Sequence, residues 1–163
     1  PTVYDFGVTS LSRDQVRRIY SGSIVNWAEL GGPNLGIFAV GRRPGSGTRD
    51  TFNEEIMEDK KAETPGVRTV AGSNAEIRTA LTGSDKAIGY LGFSYAEDGS
   101  VGVITLDGVE PTAESIKDGS YELARKLYFY TYNEATAGAQ AFIDFMLGSK
   151  GQEIAAEYGF IPI

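Results

Sequence analysis

Ile37-Phe38-Ala39-Val40-Gly41-Arg42-Arg43-Pro44-Gly45-Ser46-Gly47-Thr48-Arg49-Asp50-Thr51-Phe52 joins a continuous apolar run to an amphipathic segment through a glycine-rich turn. The unbroken run from Ile37 to Val40 predicts a strand buried on both faces, as in a parallel sheet. Phe52 and Ile56, one helical turn apart, predict a helix held against that sheet. Ligands of open α/β sheets bind where the strands end, so the turn between these elements is the place to look for chemistry. The first turn of a helix carries free N–H donors and the positive end of the dipole. Gly45 and Gly47 let backbone approach a guest closely, while Ser46 and Thr48 add hydroxyl donors. Arg42 offers a planar fork that can grip two oxygens. The stretch reads as a site for a tetrahedral oxyanion. The plain alternative is an ordinary strand-to-helix loop with Thr48 as its cap. A nucleotide phosphate loop fits poorly, because Thr48-Arg49 stands where that motif needs a lysine.

The same strand–turn–helix unit recurs downstream. Val67 to Ala71 predicts a short strand, Ser73-Asn74-Ala75-Glu76 has the capping-box pattern, and Ile77, Ala80 and Leu81 form one apolar helical face. Ala87 to Leu91 follows as a third buried strand. Upstream, Thr2 to Val8 reads as a strand, and Ser12 with Gln15 as a capping box with Leu11 stapled onto Val16. Val16, Ile19 and Tyr20 face inward on that helix, Gly22 stops it, and Trp27 and Leu30 anchor the next turn. Beyond residue 100, Val101 to Leu106, Asp107-Gly108 and Val109 predict a hairpin with a type I′ turn. Leu127 to Thr131 reads as a strand. Helices over Thr136 to Leu147, with Phe142, Ile143 and Met146 inward, and over Lys150 to Tyr158 close the chain. The fold class is α/β, a mostly parallel sheet with flanking helices.

Composition narrows the chemistry. The 163 residues are 41% hydrophobic and 23% charged, enough for a real core. A formal charge of −7 argues against nucleic acid or an anionic membrane as partner. An anion must then be held by local dipoles and one or two arginines. Cysteine and histidine are both absent, which excludes disulfides, thiolate metal sites and imidazole catalysis. No cofactor or metal is expected. No apolar run approaches the length of a membrane span. The chain opens on Pro1 without methionine or leader, so a processed protein or an excised piece is expected, with any export signal upstream.

Several residues carry a second reading. Arg49 lies within reach of the anion, but an ion pair with Asp50 or Glu54 is the preferred reading. Arg43 reads as a solvated loop charge. Asn74, at the second strand-to-helix junction, is a candidate for lining the cleft, with a helix cap preferred. Tyr90 and Tyr95 read as core. Two other functions compete: an enzyme acting on phosphate esters, and a protein-interaction module without ligand. The enzyme would need a nucleophile, metal or base, and no paired carboxylates flank the loop.

Five stretches, in order along nearly the whole chain, carry a family likeness. They are Leu11-Ser12 through Ile19-Tyr20-Ser21-Gly22 to Asn26-Trp27, Arg42 to Arg49, Ala87 to Gly92, Tyr121 to Tyr128, and Gly151-Gln152 to Pro162. With these the chain resembles the phosphate-binding proteins that serve ABC importers, which have the two-lobed periplasmic-binding-protein fold. The resemblance implies a binding protein rather than an enzyme, and an extracytoplasmic place, periplasmic or at the cell surface, with a lipid or membrane anchor upstream of Pro1. It implies inorganic phosphate or another tetrahedral oxyanion as ligand and the membrane subunits of the transporter as partners. Residues 1–125 fall on the second lobe and 126–163 on a terminal segment that returns to the first. Arg42, Ser46, Gly47 and Thr48 fall on phosphate ligands, with Gly45, Arg49 and Asn74 as outer candidates. The first lobe, with its own Gly-Ser loop and a proton-accepting Asp, is not represented, and a lone lobe is expected to bind weakly and to self-associate. Some members carry an Asp two residues after the arginine, paired with it. Pro44 stands there in this chain, so the resemblance implies an Arg42 that is either less restrained or oriented by another carboxylate.

Overall fold

The computed structural model describes residues 2–163. In chain order its elements are β1 (Ser10–Leu11), α1 (Arg13–Tyr20), β2 (Phe38–Arg42), α2 (Gly47–Glu55), β3 (Val67–Ala71), α3 (Asn74–Thr82), β4 (Ala87–Gly89), β5 (Thr105–Leu106), α4 (Ala113–Lys117), α5 (Ala137–Leu147) and α6 (Ser149–Glu157). They fall into two units, Pro1–Ala124 and Arg125–Ile163.

In the first unit β2 is the middle of a three-stranded parallel sheet in the order β3-β2-β4. Ala39 and Val40 are fully buried, as the apolar run requires. Successive side chains of a strand point to opposite faces. Ala39 accordingly joins a cluster with Val16, Ile19, Tyr20, Phe52 and Ile56, whereas Val40 packs with Ala71 and Ile77. Residues of α1 and α2 thus cover one face and α3 the other. Helix α1 begins at the expected capping box: Ser12 Oγ accepts the Gln15 N–H at 3.1 Å, and Gln15 Oε1 accepts the Ser12 N–H at 2.8 Å. Trp27 is buried and donates its indole N–H to the Lys86 carbonyl at 3.0 Å, beside the start of β4.

The junction of α1 with β3 leaves no room for a side chain at Gly66. Its N–H donates to Tyr20 O at 2.9 Å, and a Cβ there would lie 2.0 Å from Ile19 O. Relief requires backbone to move, so Gly66→Ala is expected to cost about 3 kcal/mol. The check is a urea midpoint, which falls with an unchanged slope; a midpoint equal to the parent's refutes the contact.

Four expectations need correction. Thr2 to Val8 forms turns, not a strand, because its polar groups bond locally. Thr2 donates both N–H and hydroxyl to Asp5, at 2.7 and 2.9 Å, and the Gly7 N–H reaches Tyr4 O at 2.9 Å. The first strand is only Ser10–Leu11, and it pairs in parallel with β5. The turn at Asp107-Gly108 has positive φ at both residues, 51° and 82°, as type I′ demands. Its hairpin is a single bridge, Leu106 to Val109, on the edge of β5 opposite to the one that pairs with β1. The strand expected over Ala87 to Leu91 shrinks to three half-buried residues, because β4 is an edge with one neighbour. Glu76 does not close a box on Ser73; its carboxylate takes the Gly72 N–H at 2.8 Å, while Ser73 Oγ still accepts from Glu76.

The second unit pairs α5 with α6 around Gly148. Gly151 is buried against the end of α5, where a Cβ would meet Phe145 O at 2.3 Å. Gln152 donates to Met146 O at 2.8 Å and accepts the Ile163 N–H at 2.9 Å, pinning the chain end to α6. Ile143 and Met146 are half-buried, but Phe142, expected inward, is 56% exposed. Leu127 to Thr131 is not a strand. Its backbone groups make no backbone hydrogen bonds among the described residues, and a strand exists only through a ladder with a neighbour.

Candidate anion-binding site

Arg43-Pro44-Gly45-Ser46 is the turn that makes the site. Pro44 sets the second position, Gly45 takes φ 81° at the third, and the Ser46 N–H donates back to Arg43 O at 3.3 Å. Those are the marks of a type II turn, and they explain both residues physically. The turn delivers Ser46, buried, as the cap of α2, with its Oγ accepting the Arg49 N–H at 3.4 Å. The hydroxyl hydrogen stays available as a donor. Gly47 and Thr48 follow as the first two helical residues, and their N–H groups have no acceptor among the described residues. The Thr48 hydroxyl is likewise unpaired there. The cap is Ser46, not the Thr48 of the plain-loop alternative, and both Thr48 donors remain open.

Arg42, at the end of β2, is held at every polar atom but one. Its N–H donates to the Tyr90 hydroxyl at 3.2 Å, and its carbonyl accepts Arg49 Nη1 at 3.2 Å. In the guanidinium, Nη1 donates to Asn74 Oδ1 at 2.5 Å and Nη2 to Gly72 O at 3.5 Å. Nε is buried without a partner. Two expectations are overturned here. Arg49 makes no ion pair with Asp50 or Glu54; it braces the Arg42 main chain, and Glu54 pairs with Lys60 at 2.9 Å. Asn74 is not a cap, because Ser73 already caps α3, and its oxygen faces Arg42 instead. The partner that Pro44 could not supply is an amide, not a carboxylate. The register of the sheet holds the missed signal: Arg42 lies opposite Ala71, so the turn after β3 sits beside the turn after β2.

Tyr90 contributes from the other neighbour, just beyond β4. Its ring stacks on Phe52 at 4.0 Å and 7°, and Tyr20 tilts against both at 4.6 and 5.6 Å. Burial pushes the Tyr90 phenol up, so it stays protonated and can donate as well as accept. Tyr95, expected in the core, is 36% exposed with Arg78 6.0 Å from its ring centre. Arg43 and Gly45 are exposed, as a turn requires.

Loops from three parallel strands thus meet at the carboxyl edge of one sheet. They present N–H, O–H and guanidinium donors from Ser46, Gly47, Thr48 and Arg42, an arrangement suited to a guest with several acceptor oxygens. Fold and cradle together define an α/β unit whose sheet edge is lined with donors. The chain belongs to the PBP superfamily domain family, whose model matches residues 4–150. It is 34% identical over 160 residues to the phosphate-binding protein PstS of Bacillus subtilis, covering 98% of this chain and 52% of that protein. It is 30% identical to the Borreliella burgdorferi PstS, covering 96% of this chain and 59% of that one. Among solved structures it resembles a Clostridium perfringens protein described as a phosphate ABC transporter substrate-binding protein with bound phosphate. That match has a TM-score of 0.86 at 38% identity, covering 99% of this chain and 66% of the other. An ABC-type phosphate transport receptor from Vibrio cholerae gives 0.83 at 28%, covering 99% and 67%. The chain spans about half the length of the curated relatives it matches.

Proposed function

We propose that this chain forms one lobe of an extracytoplasmic receptor that binds inorganic phosphate for an ABC importer. The observation that carries the reading is the pair of open N–H groups at Gly47 and Thr48, capped below by Ser46, on the same sheet edge as the Arg42 guanidinium. Similarity to a solved protein with bound phosphate supports phosphate as the oxyanion. In this reading Arg42 takes two oxygens, while the Ser46 and Thr48 hydroxyls and the two amides take the others. Each is a charge-assisted bond worth about 1.5–3 kcal/mol. The names of the relatives support a transporter as partner and a place outside the cytoplasm. No helix among the described residues is long and apolar enough to cross a membrane.

The second unit is the proposed return segment toward a first lobe. Leu127 to Thr131 supports this, since its backbone hydrogen-bonding groups are free of backbone partners among the described residues. The segment also exposes Leu127, Tyr128 and Tyr130. Such a segment gains by adding to another sheet edge.

Gly47→Pro tests the site without disturbing the helix. Proline suits the first helical position, and Ser46 already has the extended backbone (φ −82°, ψ 118°) that must precede it. The substitution removes the N–H and sets ring carbons in its place, closing this donor position to a guest oxygen. Phosphate affinity of the intact protein, measured by calorimetry, is expected to fall about tenfold or more with an unchanged melting temperature. Equal affinity sinks the assignment of this amide.

A further inference from the structure

Asn74 opens α3, yet that helix does not need it as a cap. Ser73 Oγ fills the role by accepting the Glu76 N–H at 3.2 Å. The Asn74 side chain instead accepts Arg42 Nη1–H at 2.5 Å, and Gly72 O receives Nη2 at 3.5 Å. Gly72 is itself fastened by the Glu76 carboxylate, which accepts its N–H at 2.8 Å. Two uncharged oxygens therefore grip one edge of the guanidinium. No ion pair among the described residues includes Arg42.

An amide partner does what a carboxylate partner would not. Both fix the long, rotamer-rich side chain and so reduce the entropy lost when a ligand binds. A carboxylate would also cancel the positive charge, whereas the amide leaves it for the guest. The charged and titratable groups around Arg42 are Arg43 on the turn, Arg49 and Asp50 on α2, Glu76 on α3 and the neutral Tyr90 phenol after β4. Glu76 is engaged by Gly72 and by the Ser73 hydroxyl at 3.3 Å. Arg49 brings a second positive charge to the Arg42 carbonyl.

Resting on the oxyanion reading above, we infer that Asn74 is the positioning residue that aims Arg42, and that its neutrality makes the site favour the dianionic over the monoanionic form of phosphate. The experiment is calorimetric titration of the intact protein with inorganic phosphate, at pH values below and above the second ionisation of the ligand. Asn74→Ala removes the acceptor and is expected to weaken binding about tenfold at both pH values, leaving their ratio unchanged. Asn74→Asp keeps an acceptor but adds a negative charge. The dianion-to-monoanion affinity ratio is then expected to fall about tenfold, because the dianion feels that charge twice over. The alanine arm separates aiming from a mere helix start, since alanine suits a first helical turn that Ser73 already caps and would leave affinity unchanged if the amide held nothing. Circular dichroism checks the fold, and if Asn74→Ala unfolds, Asn74→Asp decides alone. Unchanged affinity in folded Asn74→Ala, or an unchanged ratio in Asn74→Asp, overturns the inference. Parent protein that takes up no phosphate overturns the functional reading itself, and this inference falls with it.

Discussion

Arg42→Ala is expected to lower phosphate affinity about a thousandfold while leaving the lobe folded, a loss of about 4 kcal/mol from two charge-assisted bonds. The size follows from how much of this residue is already held in place. Asn74, Gly72, Tyr90 and Arg49 fix its side chain and main chain, so little ordering is left to oppose binding. The buried Nε has no partner. Alanine keeps the backbone N–H and carbonyl, so the bonds to Tyr90 and Arg49 survive and the sheet edge stays intact. Calorimetry on the intact protein gives the affinity, and the melting temperature checks the fold. A loss below tenfold with the fold retained means that the guanidinium does not touch the ligand. Arg42→Lys separates charge from geometry: a lysine restores the charge but not the planar fork, and is expected to recover only part of the loss.

Phe52→Ala is expected to destabilise the first unit by about 4 kcal/mol, within the range for emptying an aromatic core site. Phe52 is 2% exposed and stands between Tyr20 and Tyr90, stacked on the second at 4.0 Å. Removing it opens a cavity that two rigid rings cannot close, because Tyr20 is tied to Val40 O at 3.1 Å and Tyr90 to the Arg42 N–H at 3.2 Å. The same contact links stability to function. Tyr90 would lose its support beneath the arginine, so phosphate binding is expected to weaken in the variant even where it remains folded. Phe52→Leu, which refills part of the volume, is expected to recover most of the stability. Urea unfolding followed by tyrosine and tryptophan fluorescence measures both; a midpoint shift worth less than about 1 kcal/mol is below the range for a packed aromatic and rejects this account.

Residues close together in the chain explain the parts of the fold that were legible in advance. The Ile37 to Val40 run, the Ser12 box, the cap at Ser73, the type I′ turn at Asp107-Gly108 and the inward faces of α1 and α2 all follow from neighbours within one or two turns. The misread segments failed for two different reasons, a local capture in one and a missing ladder in the other. Thr2 to Val8 has strand-forming residues, but nothing in its composition reveals that Asp5 will capture Thr2. Leu127 to Thr131 has the aromatic content of a strand, yet finds no ladder among the described residues. In the site, the helix start near Ser46 was visible as Gly-Ser-Gly-Thr, because glycine and hydroxyl residues mark a strand-to-helix junction locally.

Alone, the order of residues determined that a buried strand ends in a glycine turn feeding a helix, because hydrophobic periodicity, turn chemistry and capping act over a few neighbouring residues. It also settled the donor character of that turn. Only the tertiary structure decided what those donors stand beside. Parallel pairing of β2 with β3 and β4 brings Asn74, 32 residues away, and Tyr90, 48 residues away, onto Arg42. Such pairings arise when separate strands align to bury their faces, and no local pattern in the chain encodes which side chains will then meet.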